Sequence, residues 1–212
     1  MPNRYSLLLA TKNPRKFQEI LELIGPDYII QSMATLSDTP DIEEIGDTFE
    51  INARLKAEGI SRYFPGWVLA EDSGLEVDAL HGTPGVYSAR YAGARATSAE
   101  NRALLLKRLE IVPEGQRTAR LCCVLALARC GKTLLTSFGT VQGAITMEER
   151  GNGGFGYDAL FLPLGYKKTF AELPASVKNK ISHRSSAFMD LRHHLAILMK
   201  NDDQHRFPDN GA

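Results

Sequence analysis

Cysteine is scarce in this chain. Its 212 residues hold three, at positions 122, 123 and 130. An odd count does not make a fully paired disulfide framework, and no pair has zinc-ligand spacing. They read as reduced core or near-core residues of a cytoplasmic protein. An excess of charge of either sign is also missing. Lys+Arg and Asp+Glu both total 25. No global basic field therefore exists to hold a nucleic-acid polymer or an anionic membrane, and an anion site has to be a local cluster. No apolar run approaches the roughly 20 residues of a membrane span. The apolar part of "MPNRYSLLLATKN" is too short for a secretory signal. The chain has no internal repeat, low-complexity segment or clear linker. What remains is an ordinary globular composition, 43% hydrophobic and 24% charged. The length fits one domain over residues 1–200, followed by a polar tail over 201–212.

The hydrophobic pattern opens strand, helix, strand. "YSLLLAT" is an apolar run. Asn13 is an N-cap type, Pro14 suits the first helical position, and Phe17, Ile20, Leu21 and Ile24 recur at helical spacing up to Gly25. "YIIQSM" follows as a strand, which favours an α/β fold. A loop over 34–47 carries five acids and no base. A helix is expected from Thr48 to Phe64 with Asp47 as cap, then a strand "WVLAED" that ends at a Ser73-Gly74 turn. A helix over Thr97–Glu110 precedes two long β-like runs joined at Gly131-Lys132, both expected to be buried on both faces. The last helix is expected over Ser185–Met199.

Five stretches can carry chemistry. "ATKNPRKFQE" places Lys12, Arg15 and Lys16 at a strand-to-helix junction, where free backbone N–H groups and the helix dipole favour phosphate. It lacks the G-x-x-x-x-G-K pattern of a P-loop. The plain alternative is a capped helix with a solvated basic turn. Glu43 and Glu44 offer oxygen ligands to a hard cation such as Mg²⁺, and Asn52 and Lys56 share a helix face; a solvated loop and helix surface explain them as well. Asp72, after an apolar strand, can bind a metal, accept a proton from water, or simply end the strand. "GNGGFGYDALF" has four glycines in six residues and places Phe155 and Tyr157 where a purine could stack, or where a flexible loop needs an apolar anchor. "KNKISHR" brings Lys178, His183 and Arg184 close to a helix start.

Together, and in this order, "TKNPRK", "INARLKA", "EDSGLEVDALHGTPGVYSARYAG", "GGFGYDALF" and "KNKISHR" resemble the inosine/xanthosine triphosphate pyrophosphatase family, from about Leu7 to Met199. The resemblance implies an elongated α/β fold, with two lobes around a long mixed sheet, flanking helices and the nucleotide in the cleft between the lobes. It implies a homodimer and Mg²⁺-dependent attack of water on the α-phosphate of ITP, dITP or XTP, giving the monophosphate and pyrophosphate. Thr11, Asn13 and Lys16 match the phosphate-binding T/S-x-N-x-x-K loop. Glu44 matches a metal-binding Glu in the frame E-x-G-x-T-F, and Lys56 a phosphate-contacting Lys. Asp72 matches the proton acceptor and metal ligand, and Ser73 a substrate contact. Phe155, Gly156, Tyr157 and Asp158 match the base-binding loop. Lys178, His183 and Arg184 match the closing substrate contacts. Three positions depart from the family pattern: Ile51 replaces a common Glu, Glu71 a common Asp, and His81 a common Gly. The readings to separate are this pyrophosphatase, a pyrophosphatase for another modified nucleotide, and a nucleotide-binding module without turnover.

Overall fold

The computed structural model describes residues 5–26, 28–36 and 39–206. The chain opens β1 (Tyr5–Leu9), α1 (Pro14–Ile24) and β2 (Tyr28–Ser32), with the strands parallel. Next come α2 (Phe49–Ser61), β3 (Trp67–Val77), α3 (Ser98–Arg108), β4 (Thr118–Arg129) and β5 (Lys132–Ile145). The described chain ends with β6 (Phe161–Pro163), α4 (Ala175–Ile181) and α5 (His183–Arg206). One mixed sheet runs β2-β1-β3-β4-β5-β6; β3 is parallel to β1, and β4, β5 and β6 continue antiparallel. This is the expected long mixed sheet with flanking helices.

Alternation along β3 sorts the core into faces. Trp67 and Leu69 pack with Ile20 and Ile24 of α1 and with Phe188, Leu191 and Leu195 of α5. Val68 and Ala70 point the other way, against Phe49, Ala53, Ala57 and Ile60 of α2. Further along, Leu75 and Val77 join Leu105 and Leu109 beside α3, with Leu121, Phe161 and Phe170. So one face of the long strands carries two apolar clusters, one per lobe. Between them lies a polar interval at Glu71 and Ser73, the floor of the cleft. A one-residue slip of β3 would exchange its faces and drive Glu71 into the apolar α2 side.

Several sequence expectations are corrected. β3 does not end at Asp72; it runs on to Val77, with Ser73-Gly74 inside the ladder opposite Cys123 and Cys122. Gly74 is there for space rather than for a turn: a Cβ would lie 2.4 Å from Ser88 Oγ and 2.5 Å from the Gly85 carbonyl oxygen, so the segment over 85–90 packs directly on the strand. α2 is capped by Thr48, whose hydroxyl accepts from the Ile51 amide, and not by Asp47. The β4–β5 turn is Cys130-Gly131, both at positive φ, one residue before the expected pair. β4 is buried almost throughout, but β5 is half exposed, with Leu134 and Phe138 open, and β6 pairs with only its last residues. α5 starts at His183, so His183 and Arg184 open the helix instead of preceding it, and it runs past Met199 to Arg206. The remainder of the expected tail, 207–212, lies outside the described residues.

Candidate active site

β1 stops at Leu9 while its neighbour β3 continues, so the loop at Ala10–Asn13 sits at the carboxyl end of a parallel strand, beside β3. Open α/β sheets place ligands there. Asn13 caps α1: its Oδ1 accepts from the Arg15 amide at 2.9 Å and the Lys16 amide at 3.3 Å. Thr11 Oγ1 accepts from the Asn13 amide at 3.1 Å. This bracing turns Lys16 inward, 3.3 Å from Glu71 Oε1. Lys12 pairs with Asp41 at 2.9 Å, and both line the second of the cavities described below.

On the α2 side, Lys56 Nζ lies 3.0 Å from Glu44 Oε1 and 3.2 Å from Asp72 Oδ1. Asn52 is fully buried, and its side chain grips both the amide and the carbonyl of Gly46, which holds the acidic loop against the helix. It shapes the site without facing it. Glu44 also meets Arg90, whereas Glu43 is exposed. Burial pushes Asp72 up from its ordinary value; Lys56 opposes this and Glu44 adds to it, leaving it raised. Burial pushes Glu44 up too, but Lys56, Lys16 and Arg90 more than offset that and leave it lowered. Asp72 Oδ2 is buried and has no hydrogen-bond partner among the described residues. Two carboxylates, one with an open oxygen, fit a hard cation that takes one or two carboxylates and completes its shell with phosphate oxygens and water. Among the described residues no three His, Cys, Asp or Glu cluster into an all-protein metal cage.

On the opposite face, charges alternate in a chain. Lys16 meets Glu71, and Glu71 accepts from Arg184 Nε at 2.8 Å and Nη2 at 2.7 Å. Arg184 Nη1 reaches Glu19, which also accepts from Lys178 Nζ at 2.7 Å. Lys178 then reaches Asp158 Oδ2 at 2.5 Å. Asp158 Oδ2 also accepts from the Phe155 amide, and a Cβ on Gly154 would sit 2.0 Å from that oxygen, so only glycine fits beside it. The Phe155 ring lies 5.1 Å from Lys178 Nζ. Tyr157 donates its hydroxyl to the Ser88 carbonyl at 2.9 Å. Despite full burial, Glu71 is held well below the usual carboxylate range by Arg184 and Lys16. Burial, with Arg184 next, holds His183 well below the usual imidazole range. Its Nδ1 is buried without a partner among the described residues.

Two cavities follow from these walls. One, of about 280 Å³, is lined by Ser73, Phe155, Tyr157, His183 and Arg184 among others. The other, of about 270 Å³, is lined by Thr11, Lys12, Glu44, Lys56 and Glu71 among others. They share Asn13, Lys16 and Ala89. Every residue matched to the family pattern lines one of the two or, for Asp72, is ion-paired to Lys56 in the second's wall, whereas Arg15, Glu43 and Asn52 line neither. The sequence model of the Ham1 family matches residues 7–194. The chain belongs to the Ham1 family. It is 45% identical over 194 residues to a protein of Exiguobacterium sibiricum named dITP/XTP pyrophosphatase, covering 91% of this chain and 98% of the relative. It is 45% identical to one of Bacillus subtilis with the same name, covering 87% and 93%. The solved Ham1 protein of Staphylococcus aureus superposes with a TM-score of 0.81 at 38% identity, over 90% of this chain and 98% of that one. A Coxiella burnetii HAM1 protein superposes at 0.82 with 38% identity, over 91% and 98%.

Sequence reasoning missed Glu19 and Arg102 in this Ham1-family site, and gave Glu71 no role beyond that of a departure from the family pattern. Glu19 lies three residues after Lys16 in α1, so one helical face carries both; that spacing was a usable signal. Arg102, discussed below, reaches a loop 54 residues away, which no local pattern shows.

Proposed function

We propose that this Ham1-family protein hydrolyses the non-standard purine nucleotides dITP, ITP and XTP to the monophosphate and pyrophosphate, with Mg²⁺ as cofactor, and so removes them from the nucleotide pool. The observation that carries this reading is the junction of two unlike cavities at Asn13 and Lys16. One has an aromatic wall and an open imidazole nitrogen, suited to a purine. The other has lysines, a helix N-terminus and two carboxylates, suited to a triphosphate. The relatives named dITP/XTP pyrophosphatase support the same substrate class.

In this reading the triphosphate lies on Thr11, Asn13 and Lys16, and the purine enters between Phe155 and His183. Asp72 takes the proton of the water that attacks the α-phosphorus. The bond from that phosphorus to the oxygen bridging to the β-phosphate breaks, and its electron pair leaves with pyrophosphate. The new charge falls on Lys12, Lys16, Lys56 and the α1 N-terminus. Such transfer is mainly positioning and charge neutralisation. Held by Glu44 and Asp72, Mg²⁺ supplies neutralisation of phosphate oxygens and a lowered pKa for water. A 6-oxo purine offers an acceptor where adenine offers a donor, and donors built for the former discriminate by roughly 10⁴ or more. Arg184 serves mainly as a fixed wall, since Glu71, Glu19 and Ser73 occupy four of its five N–H donors.

The test is hydrolysis of ITP, XTP, dITP, GTP, ATP and dTTP with and without Mg²⁺, scoring pyrophosphate against orthophosphate. Pyrophosphate from the first three, abolished by chelation, is the expected result. Orthophosphate would place the attack at the γ-phosphate and overturn the mechanism. A homodimer is part of the same reading, and light scattering on the purified chain reads it. Residence in the cytoplasm is also part of it, supported by three free cysteines, two of them buried on opposite faces of β4.

A further inference from the structure

Phe155 stands between two glycines whose carbonyls are gripped from different lobes. Arg15, in the first turn of α1, donates from Nη1 to the Gly154 carbonyl. Arg102, in α3, donates from Nη1 to the Gly156 carbonyl at 2.9 Å, and its Nε lies 2.9 Å from Glu149 Oε1 at the start of the same loop. The loop has no regular structure of its own, and both glycines hold positive φ, so its backbone has other wells open to it. α3, by contrast, is firmly seated. A capping box of Thr97 and Glu100 fixes its start, and Leu105 and Leu109 are buried in the core of the second lobe. Asn101, next to Arg102, fixes the other wall of the cavity by bonding the Ala92 amide and the Ala89 carbonyl. One turn of α3 thus ties down both sides of the purine pocket.

We propose that Arg102 is a positioning residue for purine binding: through the Gly156 carbonyl it holds Phe155 and its loop in the binding position. The proposal rests on the functional reading above. Arg102 lines neither of the two joined cavities. It lines a third, of about 820 Å³, beside Lys12, Asn13 and Arg15 of the phosphate segment, but its hydrogen bond and its ion pair both go to the base-side loop, at Gly156 and Glu149. Its effect is therefore expected on the base before the phosphates. Arg15 grips the same loop but belongs to the phosphate segment, so Arg102 is the cleaner handle.

The experiment compares wild type, R102M and R102K in steady-state hydrolysis of dITP and dATP, together with inhibition by inorganic tripolyphosphate. Methionine keeps an apolar stem of similar reach, and lysine keeps the donor. R102M is expected to raise KM for dITP about ten-fold, with kcat within about two-fold and tripolyphosphate inhibition within about two-fold. It should also narrow the preference for dITP over dATP. R102K should return KM to within about three-fold of wild type. An unchanged KM overturns the proposal, and so does a parallel fall in kcat and in tripolyphosphate affinity, which would mark general damage to the fold. If R102M does not fold, R102Q carries the same comparison. A wild type that turns over no nucleotide overturns the functional reading instead. The dissociation constant of ITP by calorimetry then decides: about ten-fold weaker binding in R102M supports the proposal, and equal binding or none overturns it.

Discussion

Glu71 and Asp72 are neighbours in the chain and opposites in the fold. β3 sends Glu71 to the α1/α5 face and Asp72 to the α2 face. Both are almost fully buried. Glu71 accepts two bonds from Arg184 and pairs with Lys16, and stays ionised well below the usual range. Asp72 shares a single lysine with Glu44, keeps one oxygen open, and is raised. Burial alone does not distinguish a structural acid from a chemical one; the count of satisfied lone pairs does. His183 and Arg184 repeat the contrast on the facing helix. Arg184 has four of its five N–H donors engaged, and His183 keeps an open nitrogen. In each pair one member is spent on ion pairs and the other keeps a buried polar atom without a partner among the described residues.

The comparison breaks most sharply under substitution. Asp72→Asn is nearly isosteric and leaves Lys56 with Glu44. It should lower kcat for dITP by roughly 10²–10⁴, the usual worth of a positioned base, while nucleotide affinity survives. The unfolding free energy should hold or rise, because a raised carboxylate is a cost that the amide removes. Full turnover in this variant would make Asp72 another structural acid and end the distinction. Glu71→Ala should do the reverse to the fold. It removes two of the bonds of the Arg184 guanidinium, itself only 2% exposed, and leaves it Glu19 as its one carboxylate, so it should cost roughly 2–3 kcal/mol in urea unfolding, short of the full cost of a buried charge with no partner. A loss under about 1 kcal/mol would show that Glu71 is dispensable to the wall.

Acid sharpens the second pair. Folded His183 is held well below its ordinary value by burial, so between there and about pH 6.5 the unfolded chain binds the extra proton. Stability therefore falls as pH falls through this window, by up to about 2 kcal/mol from pH 7 to pH 5 for one imidazole. Glu71, lowered in the fold, adds its own loss only further down, as pH drops below the ordinary carboxylate range. Urea melts of wild type and His183→Gln at pH 7 and pH 5 separate the two. The variant should lose less stability, and an equal loss would place the acid sensitivity elsewhere.

How much of this the sequence disclosed depends on how local the cause was. The Asn13 cap, Pro14 and the Thr97 start obey rules that act within four residues, and they were legible. The Ser73-Gly74 pair misled, since turn chemistry and close approach call for the same glycine and only the packed Ser88 tells them apart. The site residues emerged from motif order, which carries ancestry instead of physics. Their partnering did not emerge: that Arg184 is spent on Glu71 and Glu19, or that Asp72 keeps a free oxygen, depends on contacts more than 100 residues apart in the first case and on an absent contact in the second.

Position 51 offers the smallest test and bears on the open side of the comparison. Ile51 is the third residue of α2, 43% exposed, and its amide bonds the Thr48 cap. A glutamate there has two possible uses. Reaching back to the Thr48 amide, it would complete a capping box and favour the helix dipole, raising stability by about 0.3–1 kcal/mol. Reaching toward Asp72 instead, it would add a like charge, raise that carboxylate further and move the acid limb of kcat/KM to higher pH. The exposure of Ile51 and the direction of its amide favour the cap. Ile51→Glu should therefore raise the melting temperature by a few degrees at most, with kcat within about two-fold and the acid limb unmoved. A shifted limb would mean that the α2 side has room for a third carboxylate beside Asp72, and that its open oxygen belongs to a larger acidic site than two residues make.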